Sequence, residues 1–484
     1  MTRLAALLDG AAMLLTGCDL APHYKVPTVS VPASYRDLAV WHEATPADTS
    51  PRADWWKDFN DPVLDQLEQR LNAENVTLAA AEATFAQARA SAAEVESGLF
   101  PQLNVGGALS ANRESAKRPL RGRNLPAYFG ANTLSAQFGY EVDFWDQIHN
   151  QVVAGTAAAQ AGAADLAFAR LSLQAELAND YMLLRGLDAQ EDLLQHTVAA
   201  YTRALDVVQN RYTGKIASGV DLSRAQNQLE TARAQLDDLH AQRDVLEHAI
   251  ATLVAVPAPA FALRPVIHSR PLPKVPASVP SALLQRRPDI AAAERRVAVA
   301  NATIGVARAA FYPNISLNLS GGTQSTGLDL LSLPNSVWSL GPSLSLPIFR
   351  GGLLQAQEAA AVAAYNLAAA DYRNTVLTAF QEVQDALAQL HWYGVELEDD
   401  KRAVAAAEQT LTMALALYQD GATSYLEVVT AQEAALGAEQ LQLQLQTAYL
   451  QAGVRLIRAL GGGWSTRELP APDATPLRHV DIAP

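Results

Sequence analysis

Residues 134–144 read LSAQFGYEVDF, and this stretch decides the class of fold. Apolar side chains occupy every second position from Leu134 to Phe144, and polar residues or glycine lie between them. A period of two over about ten residues predicts a β-strand with one apolar face and one wet face. Residues 102–112, which read QLNVGGALSAN, alternate in the same way. The two stretches therefore predict a β-hairpin over residues 102–144.

Long helices are predicted on both sides of this hairpin. Residues 61–97 place apolar side chains near helical spacing among many alanines, and Phe100-Pro101 ends the pattern. No proline interrupts residues 146–210, which predicts a helix roughly 97 Å long at about 1.5 Å per residue. After a turn, a second helix completes a helical hairpin over residues 146–254.

The second part of the chain repeats this order. Residues 75–82 read NVTLAAAE and align with residues 287–294, which read RPDIAAAE. In the same register, Phe100-Pro101 aligns with Tyr312-Pro313. Alternating segments and proline-free helical segments then follow again. Because several blocks agree in order and nearly in register, the sequence predicts an internal duplication.

The N-terminus carries an export pattern. Arg3 precedes an apolar run at residues 11–15, and Thr16-Gly17 stands directly before Cys18, the single cysteine. A basic N-terminal residue, an apolar run and small residues before the cleavage site are typical of a secretory signal peptide. The run Leu-Thr-Gly-Cys also resembles a bacterial lipobox, in which cleavage leaves an acylated cysteine first. The alternative is a lone cysteine in a frayed N-terminus. Asp19 follows, a residue associated with inner-membrane retention in enteric lipoproteins, so the destination membrane stays open here.

These patterns divide the chain into segments. We expect a signal peptide at residues 1–17, a lipidated extended arm at 18–60, a first repeat at 61–256, a proline-rich linker at 257–280, a second repeat at 281–462 and a C-terminal tail at 463–484. The β-hairpins are expected at residues 102–144 and 314–348, and the helical hairpins at 146–254 and 352–460.

Composition excludes several classes of function. The net charge is -14 and the chain has no run of basic residues, which argues against a nucleic-acid surface. No run of about 18 apolar residues occurs, so we expect no membrane-spanning α-helix. Metal-ligand spacings such as His-Glu-x-x-His and paired cysteines are missing from the sequence. We therefore expect neither a cofactor nor enzyme activity.

The strands predict self-association. Four strands per chain leave open edges, and in lipid each unpaired backbone group costs several kcal/mol. Three copies would supply twelve strands around an aqueous lumen, whereas two would supply eight, an interior that side chains fill. We therefore expect a homotrimer inserted in lipid. Two alternatives stay open: the hairpins cover a soluble helical core, or the chain is a periplasmic coiled-coil adaptor or rod without a pore.

Four blocks carry a resemblance. Residues 286–296 read RRPDIAAAERR, residues 304–313 read IGVARAAFYP, residues 140–145 read YEVDFW, and residues 346–352 read LPIFRGG. They resemble the outer-membrane efflux protein family, the TolC-like ducts, and in particular the lipoprotein branch that serves resistance-nodulation-division pumps. The resemblance covers nearly the whole chain after Cys18.

The resemblance implies a fold that is mainly α with membrane β. A trimer would form a twelve-stranded barrel in the outer membrane, continuous with a twelve-helix tunnel through the periplasm. It also implies a passive export duct for drugs, toxic organic molecules or metal ions. The implied partners are outer-membrane lipid, a periplasmic adaptor and an inner-membrane resistance-nodulation-division pump.

The resemblance further implies a closed periplasmic mouth. In the family, polar links between helical hairpins close the tunnel, and acidic rings line it. Tyr418 stands at the position of a gate tyrosine, and Asp420 adds negative charge at the same level. Arg211-Tyr212 matches the turn of the first helical hairpin, which places Tyr212 at this mouth.

Glu427 stands at the position of a ring aspartate. Three copies around a narrow mouth would favour cations. Equally, a glutamate at the start of a helix offsets the helix dipole, and that role needs no pore. Thr423 and Thr430 occupy positions that are often charged in the family, so this mouth departs from the usual pattern.

Overall fold

The computed structural model describes residues 19–31, 54–115, 127–267 and 286–471. Its helices are α1 Pro62–Glu74, α2 Val76–Glu96, α3 Gln147–Thr213, α4 Gly219–Leu253, α5 Pro288–Ala309, α6 Leu353–Gln419 and α7 Tyr425–Ala459. Its strands are β1 Gln102–Ala108, β2 Ala111–Arg113, β3 Tyr128–Gly130, β4 Asn132–Val142, β5 Asn314–Ser325 and β6 Ser336–Ser345.

The two halves of the chain have the same helical hairpin. Helices α3 and α6 each have 67 residues, and α4 and α7 each have 35. At about 1.5 Å per residue, the longer pair measures roughly 100 Å. Helix α6 begins and ends 206 positions after α3, and α7 begins and ends 206 positions after α4. Leu353, for example, lies 206 positions after Gln147 (353 minus 147). Helices of equal length at a fixed interval are what an internal duplication predicts.

The first helical segment is broken, so the prediction of one helix over residues 61–97 is wrong. Asn75 lies between α1 and α2 with an extended backbone. Its side chain accepts a hydrogen bond from the Leu78 amide at 2.8 Å and donates one to the Leu253 carbonyl at 2.7 Å. Asparagine at a helix N-cap satisfies a free amide, which allows a new helix to begin in another direction.

The strands form one antiparallel sheet that joins the two halves. Its order is β1-β4-β5-β6, and β4 pairs with β5 from Asn132 opposite Ser325 to Val142 opposite Ile315. Strands β2 and β3 extend the first hairpin as a separate two-stranded ladder. Strands β1 and β6 are the two edges of the four-stranded sheet, and many of its apolar side chains are exposed.

The predicted N-terminal arm has two different parts. Residues 19–31 are extended, as expected, whereas Cys18 and the signal segment lie outside the described residues. Trp55–Phe59 instead forms a short 3-10 helix, and the expectation of an extended arm is wrong there. Its side chains Trp55, Trp56 and Phe59 are buried in the largest core cluster beside α1 and α3. Burial of these three aromatic rings stabilises the short helix against an extended conformation.

The described part of the proline-rich linker is fixed to the helices. Residues 257–267 run along the α3–α4 hairpin, and residues 268–285 lie outside the described ranges. Arg243 donates to the Leu263 carbonyl at 2.6 Å, and Asp188 accepts from the Val266 amide at 3.0 Å. Buried charges therefore hold this segment in place.

Among the described helices, α3 alone has an 18-residue stretch long and apolar enough to cross a membrane by composition. One such helix is weak evidence for a span. The expectation that no α-helix spans the membrane stays a prediction, because alanines raise the mean hydropathy of α3 without forming a continuous run of large apolar residues.

Candidate gate and membrane-proximal junction

Two helical turns form one end of the molecule. The first turn joins α3 to α4, where Ser218 and Asp221 form a reciprocal capping box that starts α4. The second joins α6 to α7 through Gly421, whose φ of +75° favours glycine. At the matching position of the first turn, Lys215 adopts a φ of +61°, so only the second turn has glycine at this left-handed position. Helices α3, α6 and α7 meet beside the two turns.

Arg211 connects the two turns. Its guanidinium donates to the Tyr418 carbonyl at 2.9 Å and lies 4.6 Å from the centroid of the Tyr418 ring. The Tyr418 ring lies 5.2 Å from that of Tyr425. Val208 and Val428 are buried in the same cluster. A cation–π contact, a hydrogen bond and an apolar cluster thus join the two helical hairpins at their tips.

The two tyrosines remain neutral phenols at physiological pH. Burial raises the pKa of Tyr418, although the positive charge of Arg211 opposes this shift. Burial and then the neighbouring Tyr418 raise the pKa of Tyr425 to about 12. A groove of 360 Å³ lies beside these rings between α3, α6 and α7.

The structure places the predicted gate residues near one another but in different environments. Tyr418 is buried, whereas Tyr212, Asp420 and Glu427 are exposed and Thr423 is half-buried. Thr430 is also exposed, and its hydroxyl donates to the carbonyl of Leu426 in its own helix at 3.0 Å.

Arg211 is the contact residue that sequence reasoning missed. The sequence pattern identified Arg211 only as part of the Arg211-Tyr212 turn motif and predicted no role for it. At the interval of 206, its counterpart in the second half is Leu417, an exposed residue. This departure from internal symmetry, a cation replaced by leucine at matching turns, is the signal that could have singled it out.

A second site lies where the sheet meets the helices. Asp19 accepts from Asn150 in the first turn of α3 at 3.0 Å, and the Pro22 carbonyl accepts from Asn301 of α5 at 2.8 Å. A Cβ added at Gly305 would lie 2.8 Å from Ala21. The extended segment thus lies directly on the ends of α3 and α5 that adjoin β4 and β5.

The block at residues 286–296, RRPDIAAAERR, serves as a structural junction. Arg287 is buried at the start of α5 and donates to Glu382 of α6 at 2.6 Å and to the Ala459 carbonyl of α7 at 3.1 Å. It also forms two hydrogen bonds with Asp289. One guanidinium therefore connects three helices, which explains the need for arginine and aspartate at this spacing.

The family model described as outer membrane efflux protein matches residues 67–256 and 279–462. The chain belongs to this family. The pyoverdine export outer membrane protein OpmQ of Pseudomonas aeruginosa is 32% identical over 475 residues, covering 95% of this chain and 97% of the relative. The probable efflux pump outer membrane protein TtgC of Pseudomonas putida is 31% identical over 471 residues, covering 96% of each.

A solved structure shares the fold. The outer-membrane channel OprN superposes with a TM-score of 0.84 at 28% identity, covering 92% of this chain and 100% of that one. This member of the outer membrane efflux protein family is therefore an outer-membrane efflux channel. The predicted family, efflux function and outer-membrane location are confirmed. The alternative of a periplasmic rod without a pore is not favoured.

Proposed function

We propose that the chain forms a homotrimeric passive duct that carries drugs, toxic organic molecules or metal ions out of the cell. An inner-membrane resistance-nodulation-division pump supplies the energy, and a periplasmic adaptor connects that pump to the helical tips. The observation that carries the proposal is a sheet with two open edges and exposed apolar side chains, set at one end of helices roughly 100 Å long.

The sheet supports insertion into lipid. Leu103 and Val105 of β1 and Leu344 of β6 are exposed apolar side chains in alternating positions. A large exposed apolar surface marks contact with a membrane or another protein. In lipid the open edges require closure, and three copies of a four-stranded sheet provide twelve strands.

The range of cargo among relatives supports a broad substrate class. OpmQ is named for pyoverdine export, and one TtgC relative is named for toluene efflux, at 32% and 30% identity. Such different cargos at similar distances from this chain favour a duct whose partner pump selects the substrate.

Two measurements test the proposed duct: the mass of the purified protein in detergent and its conductance in planar bilayers. We expect the purified protein in detergent to have the mass of a trimer and to conduct ions. Val105→Arg places a charge on the apolar face of β1, at a cost of about 2–4 kcal/mol at mid-membrane, and should abolish insertion. Asn104→Arg, on the opposite face, is the matched control and should still insert. A monomeric mass without conductance in the unmodified protein would contradict the proposal.

We propose that Cys18 is acylated and anchors the protein in the outer membrane. The support is the position of Asp19, which is hydrogen-bonded to the end of α3 next to the sheet. A lipid on the preceding residue would then lie at the level where the sheet enters the membrane. Cys18→Ser should lose incorporation of radioactive palmitate while the purified protein keeps its fold. Undiminished label in this variant would remove the anchor.

We also propose that Tyr418, Tyr212, Asp420, Thr423 and Glu427 surround the periplasmic mouth. The support is the junction of the two helical tips around Tyr418 and the exposure of both acidic side chains. In a trimer, three such junctions would surround one opening, and Glu427 would supply its negative charge.

A further inference from the structure

The groove beside the tyrosines of the helical tips has walls from three helices. Its volume of 360 Å³ falls within the range of about 300–1,000 Å³ that is usual for small-molecule pockets. Tyr201 of α3, Tyr418 of α6 and Tyr425 of α7 provide its aromatic surface, and Leu411 and Leu415 of α6 extend the apolar wall. Because the walls come from both helical hairpins, a molecule in the groove would contact both.

The groove also has a buried polar side chain whose bonding is incomplete. Gln432 of α7 lines the groove and is 5% exposed, and its Oε1 atom has no hydrogen-bond partner among the described residues. A buried amide oxygen that accepts no hydrogen bond is unfavourable, because it has lost its bonds to water without replacement. A ligand that donates an N–H group at this point would supply the missing hydrogen bond.

Two carboxyl groups give this groove negative charge. Glu439 of α7 lines the groove and is half-buried, and Glu408 of α6 lies beside it. Burial and then the charge of Glu408 raise the pKa of Glu439. Adjacent carboxylates repel each other, and a cation between them would relieve that repulsion. The lining also includes Arg203 of α3, but this residue is exposed, so the charge of the groove favours a cationic ligand.

The internal duplication gives an independent observation. At the interval of 206, the first half has other residue types where the second half has the carboxyl pair and one of the aromatic rings. The counterparts of Glu408, Glu439 and Tyr425 are Thr202, Arg233 and Gly219. The first helical hairpin forms without these groups, so the shared hairpin structure does not require them.

We propose that this groove binds a small aromatic cation that carries N–H donors. Its positive charge lies beside Glu439 and Glu408, an N–H group donates to Gln432 Oε1, and its ring packs on the three tyrosines. The site is formed within one chain, so it goes beyond the proposed duct and does not depend on it.

Binding of proflavine tests the class of ligand. This acridine cation carries two amino groups, and its fluorescence anisotropy is measured with the full chain purified in detergent, with empty micelles as background. We expect saturable binding. The neutral amine 2-aminoanthracene has a similar ring system, and we expect it to bind at least about tenfold more weakly, because it lacks the positive charge. Equal affinity for the two molecules would overturn the assignment of a cation.

Two substitutions test the polar groups of the site. Glu439→Gln removes a negative charge and Gln432→Leu removes the acceptor oxygen, and each should weaken proflavine binding by about tenfold or more. Glu396→Gln, an exposed position on α6, makes the same change of charge outside the groove and should leave the affinity unchanged. Binding that both groove substitutions leave unchanged would overturn the site.

A third substitution tests the location without changing any charge. Ala200 of α3 lines the groove and is half-buried, so Ala200→Phe places a ring in the space that the ligand needs. We expect this variant to lose proflavine binding while it keeps the mass of the unmodified protein in detergent. Undiminished binding in Ala200→Phe would show that the cation binds elsewhere and would overturn the groove.

Two further variants separate this site from its alternatives. Binding that is lost in Glu427→Gln but kept in Glu439→Gln would place the cation at the periplasmic mouth and overturn the groove. Arg203→Gln removes a positive charge, so weaker proflavine binding in this variant would contradict a cation site. Conductance of the same preparations distinguishes the groove from the duct, because a protein that conducts ions without binding proflavine contradicts the groove alone.

Discussion

The two roles considered for Glu427, lining the periplasmic mouth and offsetting the helix dipole, predict different effects of Glu427→Gln. Glu427 occupies the third position of α7 and is exposed. If it lines the mouth, Glu427→Gln lowers the preference for cations over anions, because three negative charges are lost from a narrow opening. The reversal potential in a potassium chloride gradient measures this preference. Glu433→Gln, an exposed position two turns further along the same helix, is the control and should leave the potential unchanged.

The other role affects stability instead of selectivity. If Glu427 only offsets the helix dipole, its neutralisation costs about 0.3–1 kcal/mol and the reversal potential stays as in the unmodified protein. Unchanged selectivity with a lower unfolding temperature would therefore remove Glu427 from the mouth.

Glu68 predicts a pH dependence of stability. Its side chain is 0% exposed, and neither carboxyl oxygen has a hydrogen-bond partner among the described residues. Burial and then the charge of Asp65 raise the pKa of Glu68 well above its usual value. The folded chain therefore holds a proton that the unfolded chain releases above about pH 4.3, and stability falls as pH rises from there towards the folded pKa.

Glu68→Gln removes this linkage. As pH rises above about 4.3, the unfolding temperature of the unmodified protein should fall relative to that of the variant. Glu94→Gln, an exposed position on α2, should follow the unmodified protein throughout. Parallel profiles for Glu68→Gln and the unmodified protein would show that Glu68 does not change its protonation on folding.

At the scale of elements, Asp188 fixes the proline-rich segment to the first helical hairpin. Its side chain is 0% exposed, accepts from Arg243 at 2.9 Å and from the Val266 amide at 3.0 Å, and also pairs with Arg185. Asp188→Ala leaves buried guanidinium groups with fewer partners and should cost about 3–5 kcal/mol. Thermal unfolding measures the loss, and limited proteolysis within residues 257–267 reports its location.

Asp192→Ala is the matched control for Asp188→Ala. Asp192 lies one turn further along α3, its side chain is 41% exposed, and it pairs only with His196 among the ion pairs of the described residues. An exposed pair of this kind contributes about 0–1 kcal/mol. Equal destabilisation by the two substitutions would contradict a special role for Asp188.

The elements also show what the sequence could predict. Strand β4 and helices α3 and α6 were readable because period-two alternation and proline-free length are local properties of the chain. The break at Asn75 was not readable, since alanines and leucines continue at helical spacing on both sides of it. What selects the break is the distant Leu253 carbonyl that the Asn75 side chain reaches.

The gate residues show that local sequence patterns also do not predict the long-range contacts of a site. The positions of Tyr418 and Glu427 came from a resemblance, and their roles stay predictions. The contact of Arg211 with Tyr418 joins two turns more than 200 positions apart, so no local pattern contains it. A comparison of the two halves is the sequence signal that comes nearest to predicting this contact, because the second half has Leu417 where the first half has Arg211.

At the scale of the molecule, the two halves interlock. Eleven residue pairs join β4 to β5, the rings of Trp145 and Tyr312 stack at 4.6 Å, and Arg296 of α5 pairs with Asp165 of α3. Each half presents to the other a sheet edge and a helix face that it cannot cover alone. Unpaired edges and apolar faces of this size favour aggregation of an isolated half.

We therefore predict that the chain tolerates a cut within residues 268–285 but that neither half folds alone. Residues 268–278 of this proline-rich region lie between the two matches to the family model, and such regions are typical of boundaries that few contacts cross. The two halves, co-expressed with different affinity tags, should purify together and conduct ions. A cut between Ala232 and Arg233, inside α4, is the control and should prevent assembly, because it divides one helix and its buried face. A first half that is soluble and monomeric by itself would show that the interface between the halves is not required for folding.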